Sequence, residues 1–167
     1  MDAIDTLKLR RSVRTYEPRE IPKEIIEKLI EVARFAPTAR NVQPWEFVVI
    51  TKKEVLQKIG KLGDNCKFAS GAAVCIAVFS SDTTKYYLED GCSATVNILN
   101  AATAYCIGSC WIAGDKKPYC GEVNKMLGVP VEFKLVSLIS LGYPEDKNSF
   151  KLADKKPLKD ILHWDKF

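Results

Sequence analysis

Three guanidiniums and a hydroxyl fall within the short stretch Arg10-Arg11-Ser12-Val13-Arg14. Arginine stays charged and presents a planar fork of donors that matches phosphate oxygens. Each charge-assisted hydrogen bond to such an oxygen contributes about 1.5–3 kcal/mol. In an extended stretch side chains alternate, so Arg10, Ser12 and Arg14 share one face and Arg11 points away. That face can hold a phosphate at one end and leave Arg14 for another part of the same ligand. The plain alternative is a solvated basic turn. A second stretch of interest is the irregular loop Pro37-Thr38-Ala39-Arg40-Asn41-Val42-Gln43-Pro44-Trp45. Its flanking prolines stiffen it, and stiff loops on a rigid scaffold commonly carry sites.

Other chemistries are poorly supplied. The six cysteines, Cys66, Cys75, Cys92, Cys106, Cys110 and Cys120, form no C-x-x-C pair, and His163 is the only histidine. Paired N or S ligands for zinc are therefore missing, and no metal is expected. Cysteines inside apolar runs such as Val74-Cys75-Ile76 behave as small buried hydrophobes, as reduced thiols do in a reducing compartment. The net charge of +4 favours anionic ligands without indicating nucleic acid. The start Met1-Asp2-Ala3-Ile4-Asp5 is acidic and lacks an apolar signal region, so a cytoplasmic location is expected. The uncharged run from Gly91 to Gly114 contains Thr95, Asn97, Asn100 and Thr103, which argue against a membrane span.

These stretches need elements to position them. The 167 residues suit one domain, 1–167, with 47% hydrophobic and 28% charged residues. Asp2 can cap a first helix, with Ile4, Leu7 and Leu9 as its apolar contacts. Pro22 begins a second, in which Ile25, Ile26, Leu29, Val32, Ala33 and Ala36 recur at helical spacing. Phe47–Ile50 and Ala72–Phe79 read as strands, with a surface helix over Lys52–Gly60 between them. Lys85–Ile107 reads as one long helix, uncharged after Asp90 and buried all round, broken by Gly108. Ser109–Ile112 is a further strand, Pro118–Leu127 a short helix, and Phe133–Leu141 a last strand. The tail is expected to close on Leu158, Ile161, Leu162 and Trp164. The fold class is α+β, with a mixed central sheet covered by helices.

Taken in order, these motifs resemble the nitroreductase family of flavin-mononucleotide oxidoreductases, in its short members. Carrying the likeness are Arg10–Arg14, the stretch Ala36–Trp45, Tyr86-Tyr87-Leu88-Glu89-Asp90, Gly108-Ser109-Cys110-Trp111-Ile112, Leu141-Gly142-Tyr143-Pro144 and Lys155-Lys156-Pro157-Leu158. The resemblance implies a homodimer with FMN in clefts at the interface. It implies that Arg10, Arg11 and Ser12 hold the phosphate and ribityl end and that Arg14 reaches the pyrimidine edge of the ring. Pro37, Thr38, Ala39, Asn41 and Gln43 would come from the partner subunit. The backbone of Ile112, Ala113 and Gly114 would lie near flavin N5, and Lys155 and Lys156 would complete the phosphate site. Arg40 stands where that family usually has a small residue.

The implied activity is FMN-dependent oxidation of NADH or NADPH. Electrons then pass through flavin N5 to a nitroaromatic, a quinone or another flavin by ping-pong kinetics. No side-chain acid or base is demanded, in keeping with the scarcity of histidine. Beside it stands a flavin-binding sensor or carrier without NAD(P)H turnover. The uncharged helix supports a dimer on its own account, since one small sheet covers one side and a second copy would cover the rest.

Overall fold

The computed structural model describes residues 2–167, and its central strand is Val74–Ser81. That run is β-branched, aromatic and almost wholly buried. We number the strands in chain order: β1 is Trp45–Ile50, β2 is Val74–Ser81, β3 is Gly108–Ala113 and β4 is Phe133–Gly142. They form a four-stranded sheet in the order β1-β2-β4-β3, and every neighbouring pair is antiparallel. The sheet is therefore not mixed, as the alternation of helices and strands had suggested. Its one parallel pairing is the isolated bridge between Ser12 and Ser109. The reason lies in the connections. Ile50 ends β1 opposite Cys75 at the start of β2, and Ala113 ends β3 opposite Ser137 near the start of β4. Each intervening segment leaves and re-enters at one end of the sheet, as a hairpin does, instead of crossing it.

The helices are α1 (Ala3–Leu9), α2 (Lys23–Ala33), α3 (Lys53–Gly60), α4 (Tyr87–Ala104) and α5 (Cys120–Leu127). Alternation along β2 divides the core. Val74, Ile76 and Val78 pack with Leu29 of α2 and Ile98 of α4. Cys75, Ala77 and Phe79 pack with Leu56 and Ile59 of α3 and Val123 of α5. A bulge between Val78 and Phe79 makes Val136 the extra residue of β4. Val136 meets α4 at Gly91, where a Cβ would stand 2.6 Å from its Cγ2.

The long helix is shorter than Lys85–Ile107 because it turns off before Gly108. Cys106 adopts a left-handed φ of 56°, and the Ile107 N–H reaches back to the Ala102 carbonyl at 2.8 Å. That is a helix-terminating turn built without glycine. Nor is α4 buried all round. Glu89, Val96 and Ala104 are exposed, and Ser93, Asn97 and Asn100 are half-buried. On α1, which packs on α4, Ile4 and Leu7 are also exposed rather than in the core. The tail does not close onto this body: residues 151–167 are all exposed, Leu158, Ile161, Leu162 and Trp164 among them. Among the described residues no helix is long and apolar enough to cross a membrane, and no three metal-ligating side chains come together. All six cysteines are free.

Candidate cofactor site

The arginine-rich stretch is lashed to the edge of the sheet. Ser12 bridges to Ser109 of β3, and the Val13 N–H donates to the Ser109 carbonyl at 3.0 Å. Residues of β3 alternate between bonding β4 and facing the open edge. Ser109 belongs to the edge-facing set, so by the two-residue period Trp111 and Ala113 do too. Their N–H groups point along the same open edge as Arg14. Arg14, Asn65, Phe68, Ile112, Ala113 and Tyr119 line one cleft there, of about 280 Å³. The Arg14 guanidinium lies 5.6 Å from the centre of the Phe68 ring. Tyr119 donates its hydroxyl proton to the Ala113 carbonyl, which fixes the end of the strand. Burial raises the Tyr119 pKa above the usual phenol range, so the hydroxyl keeps that proton.

Nothing in this cleft is an activated nucleophile. Burial pushes the Cys110 thiol up, and the charge of Arg14 opposes this only in part. A protonated, buried thiol is inert.

Two residues depart from their expected parts. Arg11 turns its guanidinium back on the end of α1, donating to the carbonyls of Lys8 at 3.0 Å and of Arg10. Those are unpaired helix-end acceptors, and a cation satisfies them well. Close packing against β4 by itself requires glycine at 114. A Cβ there would stand 2.3 Å from the Leu135 carbonyl oxygen. Its N–H is already given to Val136 O at 3.1 Å. The edge donor in Ile112-Ala113-Gly114 is therefore Ala113.

The proline-flanked loop sits elsewhere, against the first turn of α4. Arg40, Asn41 and Gln43 have φ of 54°, 57° and 53°. Left-handed backbone costs roughly 1–2 kcal/mol for a residue with a Cβ, so something must hold the loop. That residue is Asp90, only 6% exposed. It accepts from the Thr38 hydroxyl at 2.7 Å and from the Ala39 N–H at 3.3 Å. The Gln43 N–H in turn donates to the Thr38 hydroxyl oxygen at 3.1 Å. Pro37, Asn41 and Gln43 are exposed, whereas Trp45 is buried in the core.

One chain thus brings Arg14, Ile112 and Ala113 to that cleft, with Ser12 beside it on Ser109 and Arg10 two residues before, but brings neither the Pro37–Gln43 loop nor Lys155 and Lys156 there. Both lysines are exposed on the tail. Sequence reasoning missed Phe68, Asn65 and the part played by Asp90. A signal for Asp90 existed: Asp90, Ala94 and Ile98 share a buried stripe, and a carboxylate on such a stripe needs partners.

A sequence profile described as the nitroreductase family matches residues 7–64 and 63–143, and the chain belongs to that family. A protein of Archaeoglobus fulgidus with the provisional name NADH dehydrogenase/NAD(P)H nitroreductase is 34% identical over 164 residues, covering 95% of this chain and 94% of that one. The FMN-dependent nitroreductase from Clostridium difficile R20291 superposes with a TM-score of 0.90 at 27% identity, covering 98% and 99% of the two chains. Iodotyrosine deiodinase of Danio rerio is 27% identical over 193 residues, covering 93% of this chain and 64% of its own length. Family membership makes the chain a nitroreductase-type oxidoreductase.

Proposed function

We propose that two copies of this chain bind FMN in clefts at their interface and use it to oxidise NADH or NADPH and reduce a nitroaromatic, quinone or flavin acceptor. The observation that carries this reading is the pairing of Arg14 with the edge N–H groups of Trp111 and Ala113 along one cleft. A cation and a row of backbone donors fit the hydrogen-bonding edge of a flavin ring, and the cation favours negative charge there. The phosphate end also fits. Ser12 bridges to Ser109, whose buried Oγ has no hydrogen-bond partner. Buried donors of this kind call for an acceptor.

When bound, FMN supplies the hydride and electron chemistry. The chain's residues bind and orient it. Arg10 and Ser12 would hold the phosphate, Arg14 and Ala113 the ring, and the loop Pro37-Thr38-Ala39-Arg40-Asn41 of a second copy would cover it. Lys155 and Lys156 on the free tail would reach the phosphate in that assembly. A second copy is supported by the exposed apolar side chains Ile4 and Leu7 of α1 and Val96 of the α4 it packs on, together with an uncovered tail. Surfaces of that kind mark interaction sites. One docking face shared by donor and acceptor implies ping-pong kinetics.

The test is direct. The purified protein should be yellow, release FMN on denaturation, run as a dimer, and lose its flavin absorbance on rapid mixing with NADH or NADPH. Colourless protein that takes up no added FMN would overturn the reading. Bound flavin that stays oxidised would leave a carrier or sensor in place of an enzyme.

A further inference from the structure

We infer that the cleft beside the proline-flanked loop is a recognition site for an oxyanion carried on a planar ring, with Arg40 and Lys85 as its charged arms. The cleft holds about 240 Å³ and is lined by Ala39, Arg40, Val42, Thr84, Lys85 and Tyr86, together with the buried Asp90. A cavity of about 150 Å³ accepts benzene, so this one has room for a single ring bearing a small group. Its walls are of two kinds. Ala39, Val42 and the half-exposed Tyr86 offer apolar and aromatic surface. Arg40 and Lys85 offer donors, whereas the Thr84 hydroxyl already gives its proton to the Ser81 carbonyl at 3.1 Å.

The charges are free to act on a ligand. Among the described residues neither Arg40 nor Lys85 takes part in an ion pair. Lys85 Nζ stands 5.2 Å from the centre of the Tyr86 ring, so the ammonium is held over the aromatic wall. Asp90, the one carboxylate in the cleft, is already taken by Thr38 and Ala39. The lining therefore carries two cations against one carboxylate whose acceptors are turned to the loop.

Arg40 is also aimed. Its φ of 54° and ψ of 24° place it in left-handed backbone, inside a loop clamped at Thr38 and Ala39. A long, charged residue has no local reason to sit there, and strain of this sort gathers where a side chain must point in a set direction. The inference rests on the flavin reading, because it places this cleft at the ring's edge in the dimer. The ligand chemistry is an oxyanion with a ring: the carboxylate of an acidic aromatic acceptor, or a phosphate of the nicotinamide donor.

The experiment uses the full-length dimer and two matched pairs of probes. The first pair is 4-nitrobenzoate and its methyl ester, which share a ring and differ in charge. The second is NADPH and NADH. Affinity for 4-nitrobenzoate is measured by isothermal titration and the discrimination ratios by kcat/KM. The variants are Lys85→Ala, Arg40→Gly, which suits the left-handed backbone, and Arg40→Lys, which keeps the charge. If the site takes the acceptor, the acid-to-ester ratio and the 4-nitrobenzoate affinity fall at least tenfold in Lys85→Ala and Arg40→Gly, with recovery in Arg40→Lys. If it takes the donor, the NADPH-to-NADH ratio falls in the same pattern. Ratios and affinity that stay within twofold in every variant overturn the inference. Failure of the flavin reading looks different: wild-type protein would turn over neither nitro compound, and the titration would still report on the cleft.

Discussion

Thr38 donates its hydroxyl proton to Asp90 at 2.7 Å, joining the proline-flanked loop to the first turn of α4. Asp90 also accepts from the Ala39 N–H, so one buried carboxylate fixes two consecutive residues of a loop whose next members are left-handed. Replacing Asp90 with Ala strands both donors. The expected loss of stability is about 2–3 kcal/mol, read from urea unfolding. Asp90→Asn keeps an acceptor for Thr38 but turns an amide N–H toward Ala39, so it should recover only part. If the loop meets FMN in the dimer, flavin affinity by fluorescence titration falls alongside, more in Ala than in Asn. Lost stability with unchanged flavin affinity would take the loop out of the site.

Arg10 and Arg11 are neighbours with different work, and mutation should separate them. Arg11 is spent on the Lys8 and Arg10 carbonyls at the end of α1. Arg11→Ala is expected to lower stability by about 1 kcal/mol and to change FMN affinity little. If Arg10 holds the FMN phosphate as proposed, Arg10→Ala removes a charge-assisted bond worth about 1.5–3 kcal/mol, or roughly tenfold or more in FMN Kd. Equal FMN retention by both variants would reject the phosphate role of Arg10.

This division was half legible in the sequence. Strand alternation separates Arg11 from Arg10, Ser12 and Arg14, but it does not say where Arg11 goes. That depends on the end of α1 being close enough to bond. The strands and helices were legible because Val74–Phe79 is a continuous apolar run rich in β-branched residues and the α2 face carries strong helical periodicity. Strand direction was not, since a helix between two strands can either cross the sheet or return to the same end. Gly114 shows the same limit in the site. Glycine signals close approach, but only the register of β3 on β4 reveals that the approaching group is Leu135. The Asp64–Gly71 turn, which delivers Asn65 and Phe68 to the cleft, has no clear periodicity to announce it.

Gly114→Ala tests that register. The added methyl meets the Leu135 carbonyl at 2.3 Å, and backbone inside a paired strand cannot swing aside. Overpacking of this kind costs about 1–3 kcal/mol. Gly121 provides the contrast, lying within α5 with nothing within 4 Å of the place a methyl would take. Gly121→Ala should stabilise by roughly 0.5–1 kcal/mol through helix propensity. Thermal and urea unfolding of the two variants should move in opposite directions.

Removing residues 151–167 should leave the sheet and both cores folded, because every residue removed is exposed in the single chain. Circular dichroism would then match the untruncated chain. Dimer stability and FMN retention should both fall if the tail lies on a second copy and carries Lys155 and Lys156 to the phosphate. Full dimer formation and flavin retention after truncation would assign those lysines to solvent.

Cys75 makes stability depend on alkaline pH. Complete burial in β2 pushes its thiol up to about 12, whereas an unfolded thiol titrates near about 8.5. Above that value the unfolded chain loses the proton while the native chain keeps it. The unfolded state then binds fewer protons, and stability falls as pH rises. The contribution is fully present below about pH 8.5 and is lost at about 1.4 kcal/mol per pH unit up to the folded value. Tyr16, raised by burial as well, adds a second decline from its usual phenol range. Urea unfolding between pH 7.5 and 10 should therefore show wild-type stability dropping faster than that of Cys75→Ala. The gap should reach about 2 kcal/mol at pH 10. Parallel curves would mean that the Cys75 thiol ionises alike in both states, against its place at the centre of the sheet.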